Sequence, residues 1–282
     1  MIVNPKKQLA KARKEGYAIG AFNTSDIEIT QAIMSAAKEL NAPIIIQTSE
    51  KAIDYAGLEN IYDVAKNESE KLGIDVALHL DHGSNFEIVK RCLEVGYKSV
   101  MIDGSKLEYD KNVELTKKVV ELAKKYNAQV EGEIGTIGGV EDNVKNTSIN
   151  CTDPNIALDF VKLTQVDSLA IAFGNAHGVP DPKEKLDFDV LAQVAQKLKI
   201  PLVFHGASST PTDDMKRAIS LGMAKVNIDT DIRIAFSGSI KKFQESHPDI
   251  YDPREILESA KKAVKKVVEG KIELFGSKNK IL

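Results

Sequence analysis

The 282-residue sequence contains no tryptophan and only two cysteines. Cys92 and Cys151 lie far apart and form no CxxC pair, which argues against a disulfide framework and favours a reducing compartment. No apolar run reaches the length of a membrane-spanning helix, and the polar N-terminal segment lacks the apolar core of a signal peptide. We therefore expect a cytoplasmic protein without a membrane partner.

The sequence also lacks an excess of charge of either sign. It has 38 Lys and Arg against 41 Asp and Glu, a formal net charge of -3. Nucleic acids are bound through basic faces, so this balance predicts no nucleic-acid partner. A hydrophobic fraction of 43% is ordinary for a globular protein, and the length suits one α/β barrel.

Short β-rich runs alternate with amphipathic helical stretches along the whole chain. Some runs, such as Ile44–Ile46, are continuously apolar, as expected of parallel strands that are covered on both faces. The eight predicted strands are Ala18–Phe22, Pro43–Gln47, Val76–Leu80, Ser99–Ile102, Gln129–Ile134, Ser168–Phe173, Leu202–Phe204 and Lys225–Ile228. Eight such units predict an α/β fold, a single (β/α)₈ TIM barrel over residues 1–282. A doubly wound open sheet is the main alternative.

Some segments fall outside the repeating pattern. The non-helical stretch at about 135–152 predicts a long mobile loop, and Pro253–Gly270 predicts an extra C-terminal helix. Helix starts are predicted at the capping-box pairs Ser25/Glu28 and Ser84/Glu87. They are also predicted where a capping side chain precedes a proline, at Asp153-Pro154, Thr210-Pro211 and Asp252-Pro253.

Three of the five histidines directly follow predicted strands, and each precedes a glycine. Active sites of TIM barrels lie at the carboxyl ends of the strands, so His82, His177 and His205 are expected on one rim. Three neutral imidazoles with one open position form a catalytic zinc site. A buried or capping role is the alternative for each histidine alone, but three equivalent positions favour the metal. His79, inside a strand, is interpreted as a hydrogen-bonded core residue.

Acidic residues accompany these histidines on the predicted rim. Asp81 could move protons at a substrate oxygen or orient an imidazole, and the residues alone leave both roles open. Asp103 and Glu133 could hold a second cation, although ion pairs at the rim are the simpler interpretation. Glu141 lies in the long loop, from which a closing lid could bring it onto a substrate.

The ends of the seventh and eighth strands are the usual phosphate site of a TIM barrel. Their backbone N–H groups and hydroxyls suit phosphate oxygens, although neither segment matches a Walker A or GxGxxG motif. Arg233 could hold a second phosphate, or it could pair with Asp229 or Asp231. The candidate phosphate-binding residues are Gly206, Ala207, Ser208, Asn227, Ile228, Asp229 and Thr230.

Several motifs in chain order resemble those of class II fructose-bisphosphate aldolases. The likeness covers nearly the whole chain, and the short form without large insertions is similar to the subgroup that includes tagatose-bisphosphate aldolases. The motifs are LHLDHGS (Leu78–Ser84), SVMIDGS (Ser99–Ser105), VEGEIGTIGGVED (Val130–Asp142), HGAS (His205–Ser208), VNIDTDIR (Val226–Arg233), YDPRE (Tyr251–Glu255) and KIELFGS (Lys271–Ser277).

The resemblance implies a role for each candidate. The three histidines would hold a catalytic Zn²⁺, Asp103 and Glu133 a second divalent metal, and a monovalent cation (Na⁺ or K⁺) would accompany the phosphate. Asp81 would be the acid/base at the cleaved hydroxyl and Glu141 the base that deprotonates dihydroxyacetone phosphate. Arg254 resembles a residue lent across a subunit interface, which implies a homodimer or homotetramer. Sugar-phosphate contacts would come from Asn23, Ser49, Gly178, Gly206, Ala207, Ser208, Asn227, Ile228, Asp229, Thr230, Arg233 and Arg254.

The implied reaction is reversible, zinc-dependent cleavage of fructose 1,6-bisphosphate to dihydroxyacetone phosphate and glyceraldehyde 3-phosphate. Asp229 resembles the fructose enzymes, and tagatose 1,6-bisphosphate is the alternative substrate.

Three other functions compete with this one. A Schiff-base aldolase needs a lysine inside the barrel, whereas Lys98 and Lys225 are predicted at strand starts, on the opposite rim. A metal-dependent hydrolase would place an HxH pair where Phe22-Asn23-Thr24 stands. A non-catalytic sugar-phosphate binder stays open because a fold does not fix a function.

Overall fold

The computed structural model describes residues 1–141, 144–146, 150–178, 185–208 and 210–281, with 140, 141 and 144–146 described by their backbone only. The strands are β1 (Ile19–Asn23), β2 (Ile44–Thr48), β3 (Ala77–Gly83), β4 (Ser99–Ile102), β5 (Gln129–Ile134), β6 (Gly138–Glu141), β7 (Val144–Asn146), β8 (Ser168–Ile171), β9 (Ala176–His177), β10 (Leu202–Phe204) and β11 (Met223–Ile228). The helices are α1 (Lys6–Glu15), α2 (Ile27–Glu39), α3 (Glu50–Ala56), α4 (Leu58–Leu72), α5 (Phe86–Val95), α6 (Tyr109–Lys125), α7 (Pro154–Thr164), α8 (Phe188–Lys197), α9 (Thr212–Ser220), α10 (Thr230–Ser246) and α11 (Pro253–Leu274).

Eight strands form a closed parallel barrel in the order β1-β11-β10-β8-β5-β4-β3-β2. Closure is carried by β1, which pairs with β2 on one side and with β11 on the other. An open doubly wound sheet would leave two edges, so the predicted TIM barrel is confirmed. The extra C-terminal helix is present as α11, which packs against α10 and α2.

Successive residues of the strands face opposite sides of the barrel wall, as the period of two requires. Phe22, Leu78 and Val226 belong to the large core between strands and helices. Ile45 and Ala77 form a second, smaller core that includes residues of α1. Farther along the strands the inward positions become polar, and this change creates the site at the carboxyl ends.

Helix starts follow the strongest capping side chain. Asp26 and Asn85 cap α2 and α5 by accepting backbone N–H groups, so the predicted starts at Ser25 and Ser84 are wrong by one residue. Asp and Asn cap at least as well as Ser, which explains the shift. The predicted caps at Asp153 and Asp252 are confirmed. Thr210 does not cap α9, which begins at Thr212 with Pro211 in the capping position.

The stretch predicted as a long loop contains regular structure in its described part. The strands β6 and β7 pair antiparallel, and β6 also pairs in parallel with β9, which carries His177. Gly139 of β6 has φ of 84°, and a Cβ there would lie 2.1 Å from the carbonyl oxygen of His177. This segment therefore touches the candidate site directly. Among the described residues, no helix is both long and apolar enough to cross a membrane.

Candidate active site

The three predicted zinc histidines converge at the carboxyl end of the barrel. His82 is the penultimate residue of β3, His177 ends β9, and His205 directly follows β10. Their ring centroids lie 4.7 to 5.9 Å apart, and one nitrogen atom from each ring lies within 4.8 Å of those of the other two. His177 and His205 are buried, and His82 is partly exposed. Three imidazoles at one point form the donor set of a catalytic zinc site.

Hydrogen bonds to carboxylates orient two of these rings. Nδ1 of His82 lies 3.0 Å from Asp103, and Nε2 of His205 lies 2.8 Å from Glu131. Because a carboxylate accepts, each of these nitrogens donates a proton when the ring is neutral. The two remaining nitrogens then face each other at 2.9 Å, a distance at which a proton or a metal ion between them removes the repulsion of their lone pairs. The residues present therefore fit a metal ion.

Two backbone features bring the rings together. His82 has φ of 49°, a left-handed conformation that costs a residue with a Cβ roughly 1–2 kcal/mol. Gly206, next to His205, has φ of 63°, and a Cβ there would lie 2.2 Å from the carbonyl oxygen of Ala176. Strain at a candidate ligand is typical of functional sites.

A second cluster shares His82 with the first. His82, Asp103 and Glu133 each place one ligand atom within 4.8 Å of the others. Burial and repulsion from Asp103 raise the pKa of Glu133 well above its ordinary value. Burial opposes charge on Asp103 as well, but its hydrogen bonds with His82 and Ser105 hold its pKa below the ordinary value. Two neighbouring carboxylates, Glu133 buried and Asp103 half-buried, suit a second cation, and that role stays a prediction.

The carboxylate of Asp81 lies in a cradle of three amide groups. Asn23 and Gln47 donate to Oδ2 at 3.1 and 3.2 Å, and Asn227 donates to Oδ1 at 3.2 Å. Asp81 is only 1% exposed, so these amides replace water around it. Gln47 was missed by the sequence analysis, although its alternation within β2 with the apolar residues Ile44 and Ile46 points it into the barrel.

A cavity of about 390 Å³ opens beside this cradle. Four predicted substrate-binding residues line it, namely Asn23, Ser49, Asp229 and Arg233. The sequence analysis missed Lys51 and Tyr55 of α3, which line the same cavity and are exposed. Lys51 and Arg233 give the cavity two cationic side chains, which suit an anionic group on a ligand.

The two predicted phosphate loops are neighbours in space. Ser208 Oγ accepts the backbone N–H of Asp229 at 3.3 Å, which joins the segment after β10 to the one after β11. Thr230 begins α10, and the free N–H groups of a helix N-terminus favour an anion. Arg233 donates from Nε to Asp229 at 2.7 Å and keeps about half of its side chain exposed. The alternative ion pair with Asp229 is therefore present, and phosphate binding by Arg233 stays a prediction.

Three predicted site residues remain, namely Glu141, Gly178 and Arg254. The backbone of Glu141 ends β6, and its side chain lies outside the described part of the structure. Gly178 follows β9 with φ of 86°. Arg254 is the second residue of α11, has an 89% exposed side chain and forms a bidentate pair with Asp252. A role for Arg254 across a subunit interface stays a prediction.

Lys225 lies deeper in the barrel than the sequence analysis predicted. The strand β11 begins two residues before it, and its ammonium pairs with Glu131 at 2.9 Å inside the barrel. The reason given against a Schiff-base lysine, a position on the opposite rim, is therefore wrong for Lys225. The amine of Lys225 is instead held in a buried ion pair with Glu131, which disfavours its use as a Schiff-base nucleophile. His79 is buried and hydrogen-bonded as predicted, and burial together with the charge of Lys225 lowers its pKa well below the ordinary value.

Comparison with known proteins agrees with this geometry. The family model described as fructose-bisphosphate aldolase class-II matches residues 3–280. The chain belongs to the class II fructose-bisphosphate aldolase family. The predicted resemblance is thus confirmed over almost the whole chain.

Two relatives of this class II aldolase are named after different sugar bisphosphates. The D-tagatose-1,6-bisphosphate aldolase subunit GatY of Klebsiella oxytoca is 39% identical over 282 residues, with 99% of each chain covered. A fructose-bisphosphate aldolase of Staphylococcus epidermidis is 39% identical over 284 residues, with the same coverage. The crystal structure of the YdjI aldolase from Escherichia coli K12 matches with a TM-score of 0.88 and 32% identity, covering 99% of both chains.

These findings make the chain an enzyme, a carbon–carbon lyase of a zinc-dependent family. The prediction of an enzyme is confirmed, and a non-catalytic binder is disfavoured. The two curated relatives have equal identity, so the comparisons leave the sugar undetermined.

Proposed function

We propose that this class II aldolase catalyses the reversible, zinc-dependent cleavage of fructose 1,6-bisphosphate. The products are dihydroxyacetone phosphate and glyceraldehyde 3-phosphate. The observation that carries the proposal is the position of Asp81, whose carboxylate is held by three amides directly beside the metal-ligand candidate His82. A proton-transferring carboxylate next to a Lewis-acid site is what aldol cleavage of a ketose requires.

Zn²⁺ bound by His82, His177 and His205 would polarise the ketose carbonyl and stabilise the negative charge of the enediolate. Asp81 takes the proton of the hydroxyl whose carbon becomes the aldehyde, and the adjacent carbon–carbon bond breaks. Glyceraldehyde 3-phosphate leaves, and Glu141 returns a proton to the carbon of the dihydroxyacetone phosphate half. The synthetic direction reverses both transfers, so protons and electrons balance over the cycle.

The two phosphates bind to different sets of residues in this proposal. The segments Gly206–Ser208 and Asn227–Thr230 bind the phosphate of the dihydroxyacetone half through backbone N–H groups and hydroxyls. Arg233, with Ser49 nearby, meets the other phosphate. Asp229 supports fructose over tagatose 1,6-bisphosphate, which is the second candidate because an equally similar relative carries its name.

Further features complete the proposal. A second divalent metal would use Asp103 and Glu133, and a monovalent cation would accompany the phosphate. Arg254 would reach the site of a neighbouring subunit in a homodimer or homotetramer. We also propose a cytoplasmic location, in keeping with phosphorylated sugars as substrates.

A coupled assay for glyceraldehyde 3-phosphate tests this function with both bisphosphates. We expect faster cleavage of the fructose substrate, loss of activity after chelation, and recovery when Zn²⁺ is added back. Faster cleavage of tagatose 1,6-bisphosphate would select the second candidate. Undiminished cleavage by metal-free protein would contradict the zinc mechanism.

A further inference from the structure

A buried ion pair lies directly beneath the three histidines. Lys225 Nζ donates to Oε2 of Glu131 at 2.9 Å, and both side chains are at most 1% exposed. The other oxygen of Glu131, Oε1, lies 2.8 Å from Nε2 of His205. Burying two charges opposes folding unless each charge is paired and hydrogen-bonded. The position of this pair next to the metal-ligand candidates therefore indicates a role at that site.

Lys225 is held from its other side by a chain of hydrogen bonds. It donates to Nε2 of His79 at 3.2 Å, and Nδ1 of His79 lies 2.6 Å from Ser99. The Ser99 hydroxyl donates to Gln129, whose amide donates to Ser168. These groups come from five different barrel strands, and their hydrogen bonds fix the position of the ammonium.

The ammonium fixes the direction of every bond in this network. Lys225 can only donate, so Nε2 of His79 accepts and Nδ1 donates to Ser99. The carboxylate of Glu131 can only accept, so Nε2 of His205 must be the protonated nitrogen. The lone pair of His205 is then on Nδ1, the atom that faces His82.

We propose that Lys225 and Glu131 are positioning residues that fix His205 in the Nε2-protonated tautomer, with Nδ1 as its metal-binding atom. Glu131 holds the ring directly, and Lys225 acts through Glu131 by holding the carboxylate and balancing its buried charge. The inference rests on the zinc site of the proposed function, but its central claim concerns the histidine ring itself. Removing such a partner of a ligating histidine lowers metal affinity by about 10- to 100-fold.

The first test is the tautomer of His205 in the metal-free wild-type protein. Nitrogen-15 NMR of the imidazole side chains, assigned with a His205→Gln variant, distinguishes a proton on Nε2 from one on Nδ1. We expect the proton on Nε2. A proton on Nδ1 would overturn the proposal, whether or not the protein is an aldolase.

The second test replaces the ion pair by a neutral pair of similar size, Glu131→Gln with Lys225→Met. A neutral pair keeps the fold, because exchanging a buried ion pair for uncharged groups is often neutral or stabilising. The amide of glutamine can either donate to or accept from His205, so the preference for one tautomer disappears. We expect Zn²⁺ affinity, measured by competition with a chromogenic chelator, to fall about 10- to 100-fold.

Lys98→Met is the matched control, because Lys98 donates to a backbone carbonyl outside the network. It should bind Zn²⁺ with wild-type affinity. A folded double variant that keeps both the wild-type tautomer and the wild-type affinity would overturn the proposal. If the wild type itself bound no Zn²⁺, the proposed function would fail, whereas the NMR result would still decide the tautomer.

Discussion

Nε2 of His82 and Nδ1 of His205 lie 2.9 Å apart, and the opposite nitrogen of each ring faces a carboxylate. A proton or a metal ion between the two facing nitrogens would remove the repulsion of their lone pairs. Zn²⁺ bound there would couple strands from opposite parts of the barrel, because His82 lies in β3 and His205 directly follows β10.

Removal of the metal should destabilise the fold as well as abolish activity. A ligand that binds only the native state adds about 4 kcal/mol when its free concentration is about 1,000 times its dissociation constant. We expect the melting temperature in calorimetry to fall after dialysis against a chelator and to recover with Zn²⁺. An unchanged melting temperature would argue against an ion that joins these strands.

Gly206→Ala should destabilise the protein, because the new Cβ would lie 2.2 Å from the carbonyl oxygen of Ala176 at a φ of 63°. We expect a loss well above 1 kcal/mol in urea unfolding, together with weaker Zn²⁺ binding, because the clash displaces the segment that carries His177. Gly238→Ala is the control. It lies within α10 with open space around it, and alanine there should stabilise the helix by about 0.5–1 kcal/mol. Equal effects of the two changes would contradict this account of Gly206.

The cationic end of the cavity should recognise the phosphate of the aldehyde half. Loss of a hydrogen bond to a charged group amounts to about 1.5–3 kcal/mol, so Arg233→Met should raise KM for the bisphosphate by about 10- to 100-fold. Lys51→Met should act in the same direction, because Lys51 lines the same cavity. The effect should shrink for fructose 1-phosphate, which lacks that phosphate.

Lys66→Met, an exposed change on α4, is the control for these two variants. It should leave KM for both substrates unchanged. An equal rise in KM for the mono- and bisphosphate in Arg233→Met would contradict a contact between this arginine and the phosphate of the aldehyde half.

Gln47 should matter for the rate, because its amide donates to Asp81 and to the buried Asn23. A small displacement of a catalytic group can lower the rate by about 100-fold, so we expect a kcat loss of up to this size in Gln47→Met. Gln244→Met, on the exposed face of α10, should have wild-type kcat. A Gln47→Met enzyme with unaltered kcat would show that the amide cradle does not orient Asp81.

The sequence predicted most of the barrel and the metal-ligand histidines because their signals are local. Apolar runs mark the strands, and a histidine followed by glycine directly after a run must lie at the rim. Gln47 and Lys51 were missed for a different reason. Their importance arises from neighbours distant in the chain, such as Asp81 and Arg233.

Two further misses have physical causes. The helix α1 was not predicted from the sequence. It buries only Leu9 and Ala12, and this apolar pattern is too weak to indicate a helix in a charged segment. Lys225 was predicted at a strand start, whereas β11 begins at Met223. Its partner Glu131 is 94 residues away, so the pairing that permits its burial is invisible to a local pattern.

The central claim is that Asp81 transfers the proton in carbon–carbon bond cleavage at a zinc site. Asp81→Asn keeps the shape of the side chain, and Asp189→Asn, an exposed change on α8, is its control. The decisive measurement compares two rates in the zinc-loaded variant, cleavage of fructose 1,6-bisphosphate and exchange of the carbon-bound proton of dihydroxyacetone phosphate with solvent. We predict that cleavage falls by about 10²- to 10⁴-fold while zinc content and proton exchange persist. Wild-type cleavage by Asp81→Asn would contradict the account.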